Sequence, residues 1–527
     1  MKVFLTQTSP YLTHRSWSYL EHLGMGFLEK VATDIGFEVD FYDATWEWEE
    51  PEAVVDRLFG SGTPCSLLGC SVNRSNFEST IAAVQLARSR GYDGHITLGG
   101  YFPTFHYEKV LRNFPEIDSI VMGHGEYTFA EMCKHIAAES SLEQIPGLAY
   151  RADRDSVRFN PNRGSEEFLS SVGIPVHRPR YGVARLITSR GCSWACTFCA
   201  VNTFDKHGLK SKYLRRDLDE VLEEIDRLVK DHGVYHIWLS DMDFIGRDRE
   251  FIEGFCHHLL RRKHKVTFEG DCRVDALDEP LVELLAAAGF RALFLGVESF
   301  AKRQLDAYSK FPKTKANPDV DGVVKLLRKH GVTPRFGFIM FDKDTTLDEL
   351  ERNHEVISQT VGYGTLDSLA NKLAVLPGTV LERNYLKDSE HCFQVFIDQT
   401  NKLQSHLYYT QYRFQDARVP FVYETCLTYR NKVSRIQELF DARLRDGTID
   451  YTEHYQALWS LRDRFAPILS EILVLAKKAD APATLSREQR IELDQYLIDF
   501  SSKRGLDAGH VRQAVEAEDR APGPRLA

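Results

Sequence analysis

The stretch Ser189-Arg-Gly-Cys-Ser-Trp-Ala-Cys-Thr-Phe-Cys-Ala200 decides how this chain is read. It sets Cys192, Cys196 and Cys199 in a C-x3-C-x2-C spacing directly after Ala-Arg-Leu-Ile-Thr-Ser (184–189), whose pattern predicts a strand. Thiolates are the preferred ligands of iron–sulfur clusters, and a cubane takes four. Three on one loop hold three irons and leave the fourth without a protein ligand. A zinc loop needs a fourth Cys or His, and the nearest histidine is His207, an awkward spacing that leaves zinc open as an alternative. Chance clustering of core cysteines is the blandest alternative, and the polar Ser-Arg-Gly approach argues against it. The other seven cysteines (Cys65, Cys70, Cys133, Cys256, Cys272, Cys392 and Cys426) sit in or beside apolar patterns and read as small buried side chains. Ten cysteines in 527 residues are too sparse for a disulfide scaffold.

Downstream of the loop, strand and helix patterns alternate. Strands are expected at 236–241, 265–270, 292–297, 333–341 and 366–376, with helices at 218–233, 248–263, 279–289, 320–331 and 347–362. Such units build a doubly wound sheet or a full or partial β/α barrel, and both place their active sites at the strand C-terminal ends. Upstream, residues 1–150 alternate in the same way, which predicts an open parallel sheet covered on both faces. Ligands bind beyond the carboxyl ends of such strands, here Thr6–Pro10, Ser71–Arg74, Gly99–Thr104 and Gly123–Glu126. Residues 151–180 are turn-rich and read as a hairpin and linker. Strand patterns fade after Gly378, and 381–513, including 397–414, carries helical periodicity. The tail 514–527 is polar and Pro-containing and is expected to be disordered. The fold class is therefore α/β: a doubly wound, Rossmann-like sheet over 1–150, a partial TIM-like barrel over 181–380, and a helical C-terminal domain.

A net charge of −10 argues against nucleic acid as a partner, and 43% apolar with 27% charged residues is ordinary for a soluble protein. The longest apolar stretch is broken by Gly289 and Arg291, so no membrane span is expected. The N-terminus reads as a first strand and not as a signal peptide. A cytoplasmic location is therefore expected.

The cysteine loop, with Phe198 before its last cysteine and a strand ahead of it, resembles the radical S-adenosylmethionine (SAM) superfamily. The resemblance implies a [4Fe-4S] cluster on Cys192, Cys196 and Cys199 whose open iron chelates SAM. It also implies an external one-electron reductant of flavodoxin or ferredoxin type. Leu239–Gly246 resembles the segment near the SAM amino group, which implies Ser240, Asp241 and Asp243. Phe268–Asp278 resembles the third-strand segment, whose arginine is Arg273 here. Gly296-Val-Glu-Ser299 resembles the fourth-strand motif, with Glu298 and Ser299 facing SAM. In Arg335–Thr346, Phe341 stands where the family often has a second glycine. Leu376-Pro-Gly-Thr379 resembles the barrel-closing motif.

The N-terminal block is similar to the cobalamin (B12)-binding domain of one subgroup of that superfamily. The carriers are a glycine-led helix from Leu23, Gly99-Gly-Tyr-Phe-Pro-Thr104 and Gly123-His-Gly-Glu-Tyr-Thr128. They imply Ser71, Asn73, Gly99, Gly100, Thr104, Gly123, Gly125 and Glu126 as cobalamin contacts. The D-x-H-x-x-G motif that puts histidine on cobalt is missing, because after Asp93-Gly94-His95 the next glycine falls one residue late. His14 in the first loop lacks that context and reads as an exposed histidine. The implied activity is methyl transfer to an unactivated carbon or a phosphorus of a small metabolite or natural-product intermediate. Two alternatives stay open at this point. One is a radical SAM enzyme with a degenerate or non-methylating cobalamin domain, catalysing dehydration, epimerisation, cyclisation or rearrangement. The other is a non-catalytic cluster- or zinc-bearing scaffold.

Overall fold

A computed structural model describes residues 1–10, 20–60, 65–153, 156–161, 172–207, 212–262, 265–311, 318–361, 370–394, 409–462, 465–478, 487–503 and 505–520. His14 lies outside the described residues. The N-terminal sheet contains β1 (Lys2–Gln7), β2 (Glu38–Asp43), β3 (Leu67–Ser71), β4 (His95–Gly99), β5 (Ser119–Val121), β6 (Leu148–Arg151) and β7 (Val157–Phe159). Its order is β2-β1-β3-β4-β5-β6-β7. The first five strands run parallel, with buried apolar residues such as Val3, Leu5, Leu68, Ile96 and Ile120 at their centres. The last two correct the expectation of a purely parallel sheet. They pair antiparallel to β5 and to each other, so the hairpin extends the sheet. Strand order reverses between β1 and β3, which opens a crevice at the carboxyl ends of the central strands.

The second sheet is formed by β8 (Val183–Leu186), β11 (His236–Leu239), β12 (Thr267–Cys272), β13 (Phe290–Glu298) and β14 (Thr333–Phe338). All five are parallel and follow chain order in space, as in a partial β/α barrel. Between β8 and β11 a two-stranded ribbon, β9 (Ser189–Gly191) with β10 (Tyr213–Arg215), leads into and out of the cysteine loop. The intervening helices have strong local signals. Helix Leu218–His232 starts under Asp217, whose side chain accepts from the Asp219 and Glu220 amides, and stops at Gly233 with φ 66°. Helix Leu347–Val356 carries a capping box between Thr346 and Glu349.

Beyond the barrel three expectations need correction. The segment around 366–376 forms no named strand where it is described, and touches β-structure only through the bridges Phe341↔Lys372 and Val375↔Thr410. Residues 366–369 and 395–408 lie outside the described residues. Thr410–Tyr412, expected as helix, is strand β16, paired with β15 (Cys392–Gln394). Tyr412 meets Tyr385 edge-on, and Tyr409 just before the strand packs into the N-terminal core. The third correction is the tail. Helix Ala508–Arg520 runs through 514–520, because Val511 and Val515 bury in the core shared with helix Val419–Arg445. Residues 521–527 lie outside the described residues. That core is continuous with the outer face of the barrel, so the C-terminal helices seat directly on it.

A buried polar staple joins the two sheets. His177 Nδ1 lies 3.0 Å from Glu21 and Nε2 2.9 Å from Glu224, with its side chain 5% exposed. Arg216 meets Glu224 at 2.7 Å, and Arg178 meets Glu29 at 2.6 Å. Burial alone would depress the His177 imidazole, but its hydrogen bonds to the two carboxylates and their charge outweigh it and lift its pKa to about 9. A raised folded-state pKa contributes stability that is complete below the ordinary value near 6.5 and is lost as pH rises through about 9. The contribution is about 3 kcal/mol. The melting temperature of the native chain is therefore expected to fall between about pH 7 and 10 by several degrees more than that of His177→Gln. Parallel pH profiles of the two proteins by thermal denaturation check this.

Candidate cofactor site

The cysteine loop is held by backbone contacts that do not involve its thiols. Gly191 has φ 80°, and a Cβ there would stand 2.1 Å from the Lys212 carbonyl, so only glycine fits this turn. The Cys192 amide donates to that same carbonyl at 2.9 Å. The Thr197 amide donates to Tyr308 O at 2.9 Å, and the Leu381 amide, just past the Leu376–Thr379 motif, donates to Thr197 O at 2.9 Å. Phe198 meets the Tyr308 ring edge-on at 5.3 Å. The three loop cysteines are partly exposed while the other seven are buried, which separates the two groups by environment. Burial pushes the Cys192 thiol up to about 11 and also raises Cys196 and Cys199, an effect that Lys310 opposes at the latter two. Among the described residues no three His, Cys, Asp or Glu side chains are gathered closely enough to hold a single metal ion. His207 packs against the Phe159 ring at 5.6 Å, toward the N-terminal sheet, so it gives a zinc loop no support.

The strand ends around the loop carry the residues expected near SAM. Ser240 Oγ and Arg273 Nη1 are both buried and have no hydrogen-bond partner among the described residues. Buried polar atoms without partners are rare, so these two fit a polar ligand that is SAM-like in its donors and acceptors. The rest of the Arg273 guanidinium is fixed by Asp275 at 2.8 and 2.9 Å and lies 3.9 Å from the Trp194 ring centroid. Asp243 accepts from Trp194 Nε1 at 2.8 Å. Glu298 stands at φ 69°, uncommon for a non-glycine residue, where β13 breaks register with β14. Its Oε1 accepts from Lys310 Nζ at 2.7 Å. A Cβ on Gly296 would stand 2.5 Å from that ammonium and 3.1 Å from Oε1, so the glycine makes room for the pair.

Two expected residues turn away into scaffold contacts. Asp241 is buried and accepts from Thr188 N at 3.0 Å and Thr188 Oγ1 at 2.7 Å, and also from Ser189 Oγ, tying β11 to the segment before the loop. Burial raises its carboxyl. Ser299 Oγ donates to Gln304 Oε1 at 2.5 Å inside a buried network with Asn353. Phe341, standing in place of a glycine, is buried against Tyr423 of helix Val419–Arg445, with ring centroids 5.3 Å apart.

Opposite the loop, a cavity of about 390 Å³ lies at the carboxyl ends of β3, β4 and β5. Ser71, Asn73, Gly99, Gly100, Gly123, Gly125 and Glu126 line it, together with Gly24 and Gly69. So many missing side chains leave a backbone floor for a flat ligand. Thr104 does not line it; its hydroxyl accepts from the Gly123 amide at 3.1 Å and holds that loop in place. The far wall comes from the barrel: Arg190, two residues before Cys192, and Phe204, just after Cys199. Arg190 pairs with Glu126, and Tyr101 stacks on Phe204 at 4.0 Å. His124 meets Asp205 at 3.0 Å. Burial alone would raise the Glu126 carboxyl, but Arg190 holds it below its ordinary value. Its Oε2 is buried without a partner among the described residues, which fits a ligand carrying amide donors, as cobalamin does.

Four residues of the site escape the sequence reading: Arg190, Phe204, Lys310 and His22. His22 lines the cavity and caps helix Leu23–Asp34. Its Nδ1 accepts from Met25 N at 3.2 Å, so the neutral ring donates from Nε2 to Ser71 Oγ at 2.7 Å. Burial and then Arg185 lower its pKa to about 4, so it is neutral at pH 7. Histidine is not a favoured cap, and nothing local flags it. Arg190 and Phe204 flank the cysteine loop and were legible only as its neighbours.

The radical SAM superfamily profile matches residues 186–357, and the B12 binding domain profile matches residues 14–132. The chain is 28% identical over 347 residues to 4′-phospho-dehydrooxetanocin synthase of Priestia megaterium, covering 58% of this chain and 45% of that protein. It is 28% identical to an anaerobic magnesium-protoporphyrin IX monomethyl ester cyclase of Rubrivivax gelatinosus, with 55% and 53% covered. It is 28% identical to cytidylyl-2-hydroxyethylphosphonate methyltransferase of Streptomyces wedmorensis, with 55% and 63% covered. The chain thus spans about half the length of the curated relatives it matches. In fold it resembles the cobalamin-dependent SAM radical enzyme OxsB, with a TM-score of 0.73, 19% identity, and 98% of this chain and 78% of that one covered. It also resembles the radical SAM methyltransferase TsrM of Kitasatospora setae, with a TM-score of 0.65, 15% identity and 99% of both chains covered. With both profiles matched, and Arg190 and Phe204 on either side of the cysteines lining the glycine-rich cavity, the chain carries a radical SAM superfamily domain preceded by a B12-binding domain.

Proposed function

We propose that the chain is a cobalamin-dependent radical SAM methyltransferase acting on an unactivated carbon, or a phosphorus, of a small metabolite or natural-product intermediate. One observation carries the reading: the cavity at the end of the N-terminal sheet shares its wall, Arg190 and Phe204, with the cysteine loop. When bound, the cluster with SAM supplies a 5′-deoxyadenosyl radical, and cobalamin supplies a transferable methyl group.

This chain's residues position those groups and keep water out. Cys192, Cys196 and Cys199 hold three irons, with Phe198 packed on Tyr308 beneath them. Ser240, Asp243, Arg273 and Glu298 face SAM, and Lys310 joins them, its ammonium fixed by Glu298. Asp241 and Ser299 are positioning residues that lock the strand ends. Ser71, Asn73, Gly99, Gly100, Gly123, Gly125 and Glu126 receive cobalamin, with Thr104 and His22 setting the loops behind. The Tyr101–Phe204 stack and the Arg190–Glu126 pair close the seam between the two halves. The region 381–513 shapes the substrate pocket, and its Tyr409 reaches the N-terminal domain at Arg74 and Phe102. Among the described residues no helix is long and apolar enough to cross a membrane.

The test is an anaerobic reaction of the iron-, sulfide- and cobalamin-reconstituted chain with SAM, a reductant and candidate substrates. Formation of 5′-deoxyadenosine together with S-adenosylhomocysteine and a methylated product supports methyl transfer. 5′-Deoxyadenosine without S-adenosylhomocysteine defeats it.

A further inference from the structure

The cysteine loop carries a second aromatic side chain besides Phe198. Trp194 stands between Cys192 and Cys196, and its side chain is half-buried. An indole brings no ligand to iron, so its contacts decide what it does. Two guanidinium groups gather on it. Arg273, just past β12, lies 3.9 Å from the ring centroid, and Arg247, in the segment after β11, lies 4.6 Å from it. Tryptophan offers the strongest cation–π attraction of the aromatic side chains, and a guanidinium stacks well on its face.

The ring is fixed by the loop that bears it. Trp194 Nε1 donates to Asp243 Oδ2 at 2.8 Å, and Asp243 Oδ1 accepts from the Gly246 amide at 3.2 Å. The Trp194 carbonyl accepts from Asn202 Nδ2 at 2.7 Å, and its amide bonds the Cys192 sulfur. The setting of the indole therefore follows from the way the loop folds around its cysteines.

The two cations differ in what they can still bind. Arg247 is exposed and forms no ion pair among the described residues, so it braces the indole from the solvent side. Arg273 is buried, and its charge reaches Cys196, which puts it on the cluster side. Asp275 takes Arg273 Nε at 2.8 Å and Nη2 at 2.9 Å, while Nη1 is buried without a partner among the described residues. A guanidinium held along one edge can still swing about that edge. The Trp194 ring, with Phe311 at 5.0 Å, sets its plane and so the direction of Nη1.

We propose that Trp194 is a positioning residue whose ring holds Arg273 in the orientation from which Nη1 meets an acceptor group of SAM. The cysteine loop then shapes the SAM site through Arg273 as well as through the open iron. This rests on the reading of the loop and Arg273 as a SAM site.

The test is a SAM titration of the anaerobically reconstituted chain, followed by the electron paramagnetic resonance of the reduced cluster, which reports only chains that carry one. Trp194→Leu is expected to weaken SAM binding about tenfold. Trp194→Phe, which keeps a ring beneath Arg273 and loses the N–H, should stay within about threefold of native. Arg273→Leu should weaken binding at least about tenfold, and Trp194→Leu/Arg273→Leu should be no weaker than Arg273→Leu alone, because Trp194 acts through Arg273. Native affinity in Trp194→Leu, a Phe variant as weak as the Leu variant, or additive losses in the double variant overturns the proposal. Should Trp194→Leu take up no iron, Arg247→Leu decides from outside the loop: a loss of about threefold supports the brace, and native affinity overturns it. Native affinity in Arg273→Leu defeats the SAM reading of Arg273 and the proposal with it. A native chain that takes up no iron, or whose cluster signal does not respond to SAM, defeats the cluster reading before any variant is compared.

Discussion

Replacing Cys192, Cys196 and Cys199 together by alanine is expected to take bound iron from about four per chain to nearly none. Formation of 5′-deoxyadenosine should fall by more than about a thousandfold, because reductive cleavage of SAM is the chemistry that the cluster supplies. The variant should still fold. The loop is held by the Cys192 amide on Lys212, the Thr197 amide on Tyr308 and the Leu381 amide on Thr197, none of which needs a thiol. Cobalt uptake should persist, since the cavity that receives cobalamin is built by the N-terminal sheet with Arg190 and Phe204. Cys256→Ala, in the buried core of the barrel, is the control that leaves iron unchanged. Iron and cobalt analysis of the three purified proteins, with product analysis by mass spectrometry, checks the prediction.

The second large effect is expected at the Lys310–Glu298 pair. Lys310 is 8% exposed, 2.7 Å from Glu298 Oε1, and exerts its charge on Cys196 and Cys199. Gly296→Ala places a Cβ 2.5 Å from the ammonium and forces it aside while leaving the cysteine loop untouched. SAM affinity should fall at least about tenfold, about 1.4 kcal/mol, at unchanged iron content. Lys310→Met should lose more, about a hundredfold. It should also lower stability by about 3 kcal/mol, because Glu298 is left as a buried charge without its partner. The readout is a SAM titration followed by the electron paramagnetic resonance of the reduced cluster. Native SAM affinity in Lys310→Met would remove Lys310 from the SAM site.

What was legible in the sequence had a local physical cause. Thiolate spacing is fixed by the loop itself, and the alternation of strand and helix follows from side-chain periodicity, so both halves and their order could be read directly. Glycines at Gly99, Gly100, Gly123 and Gly125 marked the cavity floor because strand ends that admit a ligand shed their side chains. The misses arose from tertiary context. β6 and β7 are short and turn-rich, and become part of the sheet only because β5 offers a free edge. Thr410–Tyr412 has a helical pattern of aromatics, yet it is drawn into a strand by β15. Residues 514–520 are polar along the chain, but Val511 and Val515 find an apolar partner in helix Val419–Arg445. Asp241 and Ser299 stand in motif positions while their hydrogen bonds point into the scaffold. Lys310 and His22 act through partners that no spacing rule links to them.

On the proposed reading a SAM-binding cluster and a cobalamin face each other within one chain. The most direct measurement is metal analysis with a visible spectrum, after anaerobic reconstitution of the native chain with iron, sulfide and cobalamin and removal of unbound metal. About four iron and about one cobalt per chain are expected, with cluster and corrin absorbance in the same protein. Zinc in place of iron, or iron with no retained cobalt, would contradict it.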